Sequence, residues 1–182
     1  MKYILMLFLM LSFIRCSKVE NENKNSQNYF DLKAYCQAQI KQLNTKQPKV
    51  SKSIQIAGQT ESKIGTEIDW TAEFQLFINS DLNKTSFKGL YKVDSTFKDN
   101  ELNTITLEAL EEKCYTKMME IRFKHQKVQE ITISNAVDNL LYKKNESLHY
   151  IPEQLLSIQK TERMVFGENK ESSIELYFVL PK

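Results

Sequence analysis

Apolar positions along the chain follow two spacings. In NYFDLKAYCQAQIKQLN, residues Tyr29, Leu32, Cys36, Ile40 and Leu43 recur every three or four positions, the period that lines one face of an α-helix. Asn28 is placed to cap the first turn and Asp31 to set a carboxylate inside it. Pro48 cannot continue a helix and predicts its end. A second helix is predicted in DWTAEFQLFINSDL, with Asp69 as its cap and Trp70, Phe74, Phe77 and Ile78 on one side.

Elsewhere the period shortens to two, the spacing of a strand with one buried face. KSIQIAG alternates through Ile54 and Ile56, and Gly58 suits the following turn. GLYKVDSTF and NTITLEAL form a strand pair around the polar KDNE. KMMEIRFKHQKVQEITI alternates through Met119, Ile121 and Phe123, then Val128, Ile131 and Ile133, with HQK turning the chain. NLLYKKNESLHYI, LLSIQKTERMVFG and SSIELYFVL continue the pattern, broken at Pro152 and at Gly167. Short polar connections predict antiparallel neighbours. The expected fold is α+β, with two N-terminal helices packed against a curved antiparallel β-sheet. EALEEKCYTK fits either a helical turn or the end of a strand.

The first residues follow neither pattern. Lys2 precedes an unbroken apolar run from Ile4 to Leu11, which Phe13 and Ile14 extend to Cys16. A charged start and a short apolar core predict a secretion signal, because a membrane-spanning helix needs roughly 20 apolar residues. SKVENENKNSQN then turns abruptly polar and offers no side chain to anchor a core. The expected organisation is a signal peptide over 1–15, a lipidated cysteine and flexible tether over 16–27, and a single domain over 28–182. The placement of Cys16 resembles the lipidation site of a bacterial lipoprotein. In that family the signal is cut before the cysteine, whose sulfur receives a diacylglyceryl group and whose amine receives a further acyl chain such as palmitate. Arg15 and Phe13 depart from the usual Gly, Ala or Ser and Leu, a looseness that resembles Bacteroidetes lipoproteins. The alternative is an ordinary signal peptide with a chance cysteine.

Cleavage changes the charge balance. The full chain has 25 Lys and Arg against 23 Asp and Glu. Residues 1–15 carry Lys2, Arg15 and no acid, so 23 bases would face 23 acids afterwards. The total implies no cationic face, and nucleic acid is not expected as a partner.

Candidate chemistry is sparse. Cys36 and Cys114 could form a disulfide in an oxidising compartment, but Cys36 lies on the helix's apolar face, where a free thiol packs as a small hydrophobe. His125 falls in a turn and His149 beside Tyr150, and neither belongs to a metal-ligating motif, so no metal or cofactor is expected. Glu108, Glu111 and Glu112 read as a solvated charge run, although a helix would bring Glu108 and Glu112 to one face. Asn83 and Asn145 head Asn-x-Ser/Thr triplets, read as unmodified loop residues in a bacterial protein. No catalytic residues are assigned. Aromatic side chains spread through the domain fill a core or, alternatively, line an apolar pocket between helices and sheet.

Signal, Cys16, Asn/Lys-rich tether, YFDLKAYCQAQIKQLN helix and aromatic strands together resemble a small uncharacterised lipoprotein of the Bacteroidetes group. The arrangement is also similar to envelope lipoproteins whose curved sheet covers helices, including carriers of lipoproteins. That resemblance implies a non-enzymatic, lipid-anchored protein of the cell envelope, at the outer membrane, that binds an envelope partner or supports envelope maintenance. A membrane-local carrier of an apolar ligand is the second reading, and a hydrolase of unknown type the third.

Overall fold

The computed structural model describes residues 29–179. Two helices and one nine-stranded antiparallel sheet account for most of them. Helix α1 spans Leu32–Lys46 and buries Leu32, Cys36 and Leu43. Its N-cap is Asp31, whose carboxylate accepts from Ala34 N at 2.8 Å. The expected role of Asp31 inside the first turn is therefore corrected: a short acceptor just before the apolar run satisfies a free helix N–H itself. Asn28 lies outside the described residues. Tyr29 and Phe30 precede the helix and pack apart, Tyr29 against Tyr91 and Phe30 against Phe123.

Helix α2 spans Trp70–Asn79 and is capped by Asp69, which accepts from Thr71 N and Ala72 N. Trp70, Phe74 and Phe77 are buried, and Ile78 is half-buried. The two helices are antiparallel neighbours at one point at least: Lys33 N in the first turn of α1 donates to Asp81 Oδ1, just beyond α2.

The strands are β1 (Val50–Ile56), β2 (Gln59–Gly65), β3 (Tyr91–Lys98), β4 (Glu101–Ala109), β5 (Thr116–Lys124), β6 (Lys127–Asp138), β7 (Tyr142–Ile151), β8 (Leu155–Met164) and β9 (Lys170–Phe178). Their order across the sheet is β2-β1-β9-β8-β7-β6-β5-β4-β3. Strands β3 to β9 form a meander. Strand β1 joins it at the far side of β9, in register from Val50 opposite Phe178 to Ile56 opposite Ser172. One end of the sheet carries the β1–β2, β4–β5, β6–β7 and β8–β9 connections. The opposite end carries β3–β4, β5–β6 and β7–β8.

Register assigns the faces. Leu107, Met119, Ile133, Leu148, Ile158 and Ile174 lie opposite one another across six strands, and all but the half-buried Ile174 are buried. The helices cover this inner face. The Phe74 ring meets Tyr150 edge-on at 4.9 Å, Trp70 stacks on Phe178 at 5.5 Å, and Tyr150 OH donates to Gln39 Oε1 at 2.8 Å.

Four local readings differ from expectation. Strand β2 has no alternating apolar positions and is held only along its β1 edge, so backbone pairing, not side-chain burial, makes it a strand. In β1 the inward parity of Ile54 and Ile56 is right, but burial fades from Val50 toward an exposed Ile56. EALEEKCYTK divides: β4 ends at Ala109, residues 110–115 form a connection, and Thr116 opens β5. Leu140 and Leu141, expected at the head of a strand, lie in the β6–β7 turn, and Val165 and Phe166 lie beyond β8.

Three hairpins turn through two residues at positive φ: Ala57–Gly58, Asp99–Asn100 and His125–Gln126. This is the type I′ geometry that suits strand twist. The β7–β8 turn begins at Pro152 and closes with Gln154 N donating to Ile151 O at 3.0 Å. Its Glu153 pairs with Lys46 at the end of α1.

Truncating a wholly buried aromatic removes burial and leaves a void. Phe74→Ala should cost about 3–5 kcal/mol, whereas Phe97→Ala, on an exposed side chain, should stay within about 0.5 kcal/mol. Urea unfolding of both variants checks the contrast.

Candidate functional site

The inner face becomes polar toward the end that carries the β6–β7 turn. Tyr115, just before β5, donates its hydroxyl to Glu146 Oε2 of β7. Lys144 Nζ pairs with Glu146 Oε1 at 3.1 Å and lies 5.7 Å from the centre of the Tyr115 ring. Asn135 on β6, opposite Glu146 in register, donates through Nδ2 to Ser80 Oγ at 2.9 Å. Ser80 in turn donates to Leu76 O at 2.8 Å. Glu146 is only 3% exposed, so this carboxylate depends on its lysine and tyrosine partners. Asn135 Oδ1 is buried and accepts no hydrogen bond from the described residues.

The cluster ties the end of α2 to β6 through Asn135 and the chain before β5 to β7 through Tyr115. Burial, followed by the hydrogen bond to Glu146, holds the Tyr115 hydroxyl well above its ordinary pKa, so it remains a donor. Among the described residues no Ser, Thr or Cys side chain hydrogen-bonds to the carboxylate, whose partners are Tyr115 and Lys144. The chemistry on offer is fixation of a helix terminus.

A second buried acid, Glu73 on α2, pairs with Lys52 of β1. Beside it an open groove of about 530 Å³ runs between β2 and the start of α2, bordered by Ile54, Glu61, Lys63 and Ile68. The pair joins α2 to β1 beside this groove.

Outside, the sheet presents a different surface. Gln55, Ser173, Gln159, Ser147 and Ser134 lie opposite one another in register across β1, β9, β8, β7 and β6. With Asn145 and Thr161 they line an open depression of about 550 Å³. The five registered residues are hydroxyls and amides, and Glu146, Lys160 and Glu171 also border the depression. Each hydroxyl and amide offers donors and acceptors together, which suits hydrogen bonding to a polar partner.

Farther along the same outer face, His149 Nε2 lies 2.7 Å from Glu130 Oε1, while Glu130 Oε2 accepts from Arg122 at 2.8 Å. Arg122 also donates to Glu120 at 2.9 Å. Ser157 stands opposite His149 in register, but no hydrogen bond joins its hydroxyl to the imidazole. The serine, histidine and acid therefore do not form the relay that activates a nucleophile.

The residues singled out from the sequence are scattered. Cys36 and Cys114 are both buried free thiols, so the disulfide alternative is not realised. Burial, then the nearby Asp81 carboxylate, pushes the Cys36 thiol from its ordinary 9.0 up to about 12. His125 faces Glu101 at 3.4 Å on an exposed turn. Glu108 lies on β4, while Glu111 and Glu112 lie in the following connection, so no helix brings Glu108 and Glu112 together. Asn83 donates to Tyr29 O and Phe30 O and fixes the chain before α1. Asn145 borders the outer depression. Cys16 lies outside the described residues.

Trp70, Phe74, Phe77 and Tyr150 occupy the space between helices and sheet, and the groove beside α2 is open. No group of three or more His, Cys, Asp or Glu among the described residues could hold a metal ion, and no described helix is long and apolar enough to cross a membrane. The outer polar row escaped sequence reasoning because single Ser and Gln residues become a surface only through cross-strand register; their alternation with inward apolar residues was the available signal. Comparison with family models, curated proteins and solved structures finds no match to the chain.

The buried Cys36 sets an alkaline limit. The folded thiol holds its proton more tightly than the unfolded one, so its stabilising effect is fully present below about pH 9 and fades as pH climbs toward 12. Burial raises Tyr35, Tyr91 and Tyr150 as well, which acts in the same direction. Urea midpoints should hold up to about pH 9 and then fall; a flat midpoint well above that pH contradicts the linkage.

Proposed function

We propose that this chain is a lipid-anchored protein of the cell envelope, at the outer membrane, whose body is a non-enzymatic binding module. The polar depression on the outer face, rich in hydroxyls and amides, is the observation that carries the binding role. It is wide, open and shared by five strands, while aromatic side chains fill the inner space that an apolar cargo would need. The partner suited to it offers hydroxyl or amide groups, as an extended polypeptide or another sheet surface does. The anchored location rests on Lys2, the Ile4–Leu11 run and Cys16.

Two acyl chains or more give stable membrane attachment where a single chain is marginal. A cysteine-linked anchor would therefore confine the body to one membrane while leaving the sheet face free for its partner. Neither role requires a reacting nucleophile.

Mass spectrometry of the mature protein should find an acylated N-terminal Cys16, and Cys16→Ser should release the chain from washed membranes. A mature chain starting elsewhere, or carrying a bare thiol at 16, contradicts the anchor.

The binding face has its own test. Ser147→Arg together with Gln159→Arg places two large cations in the depression, away from the core. Native co-purification after crosslinking should lose its principal partner while thermal unfolding stays unchanged. A partner retained by the doubly substituted chain would move recognition to another surface.

A further inference from the structure

Exposed apolar side chains gather at one end of the sheet. Ile56 closes β1, Leu110 follows β4, Leu140 and Leu141 form the β6–β7 turn, and Val165 and Phe166 follow β8. All four connections at that end thus present a large apolar group. Leu140 is 93% exposed and Phe166 87%. The opposite end turns through Asp99–Asn100, His125–Gln126 and Pro152–Glu153; its exposed apolar groups, Phe97, Ile64, Tyr177 and Val179, lie on strands or after β9 and not in those turns.

These loops act as one edge. Val165 N donates to Leu141 O at 3.0 Å, so the two most apolar tips are joined through backbone. Neighbouring strands lie about 4.8 Å apart, which sets successive hairpin tips roughly 10 Å from one another. The result is a row of separate projections, not a groove with walls. A rigid partner would need a matching socket for each tip, whereas the interfacial region of a bilayer accommodates them without one.

Charge points the same way. Lys143 pairs with Asp138 at 2.8 Å, Lys113 with Glu111 at 2.7 Å, and Lys144 with Glu146. Lys117, Arg163 and Lys170 stand at the same end among Glu112, Glu162, Glu168 and Glu171, so the charges are mixed in sign and apolar burial, not net attraction to anionic headgroups, is the available driving force.

The path of the chain supplies the occupant. Tyr29, the first described residue, receives Gly89 N on its hydroxyl at 3.2 Å and packs against Tyr91, where β3 starts at this same end. The 28 residues before it contain the apolar run and Cys16. We infer that the four loops of this end dip into the lipid interface of the membrane that holds the chain, fixing the body upright with its outer face accessible. This orientation rests in part on the anchored reading above, but the loop contact itself does not require acylation.

Trp70 is the sole tryptophan and is buried, so a second tryptophan reports its own surroundings. The acylated full chain is reconstituted in phosphatidylcholine vesicles with brominated acyl chains, as Phe166→Trp and, for the opposite end, Phe97→Trp. The residue at 166 should shift to the blue and lose about half its added emission or more, as expected for insertion of 5–10 Å into the interface. The one at 97 should do neither. Adding anionic lipid should leave both results unchanged.

Flotation reads the anchor separately. A chain that floats with residue 166 unquenched keeps the anchor and overturns the loop contact, as does equal quenching at 97 and 166. A Cys16→Ser chain that no longer floats, yet is quenched at 166 on mixing with excess vesicles, keeps the loop contact without the anchor. A blue shift at 166 without vesicles that grows with protein concentration assigns this end to a second copy and overturns the lipid contact.

Discussion

Everything in the described body depends on α2 laying three aromatic side chains onto one face of the sheet. Trp70, Phe74 and Phe77 recur at helical spacing, so all three point the same way and none is satisfied without a partner surface. Tyr150 and Phe178 meet them from β7 and β9. That contact decides which parity of every strand faces inward. It also fills the space between the helices and the middle of the sheet with side chains.

Period and turn chemistry carried most of the fold. Both helices, the β3–β4 pair, and the hairpin at His125 follow from spacings read in one dimension. The failures share a physical cause. Strand β2 is held by backbone bonds to β1, which leave no side-chain pattern to read. Leu140, Leu141, Val165 and Phe166 have the composition of strand residues, and alternation cannot distinguish a strand's first apolar residue from an apolar turn beside it. Asp31 and Asn28 are both acceptable caps by residue type, and the choice rests on where the first helical hydrogen bond closes.

The candidate surfaces were less legible still. Gln55 and Ser134 are 79 positions apart in sequence and share a surface because β1 joins the meander beside β9. That pairing is non-local, and no local propensity announces it. The buried Glu146 is equally silent in sequence: KKNESLHY reads as a polar strand start, and only the fold brings Tyr115 to the carboxylate and buries it.

The two ends of an antiparallel meander are chemically independent, because alternate connections go to alternate ends. A sequence can therefore make one end apolar without changing either face of the sheet. Polar turns, of the kind found at the far end, satisfy hairpin geometry with Asp–Asn or Pro–Glu; nothing in that geometry calls for leucine or phenylalanine. Four apolar connections on one edge reduce solubility and gain no internal burial, so their compensation must lie outside the body. The proposed anchor would hold a lipid surface within reach at no further translational cost, a high effective concentration under which individually weak loop contacts suffice. Under that proposal anchor and loops would divide the work, the acyl chains setting residence and the loops orientation.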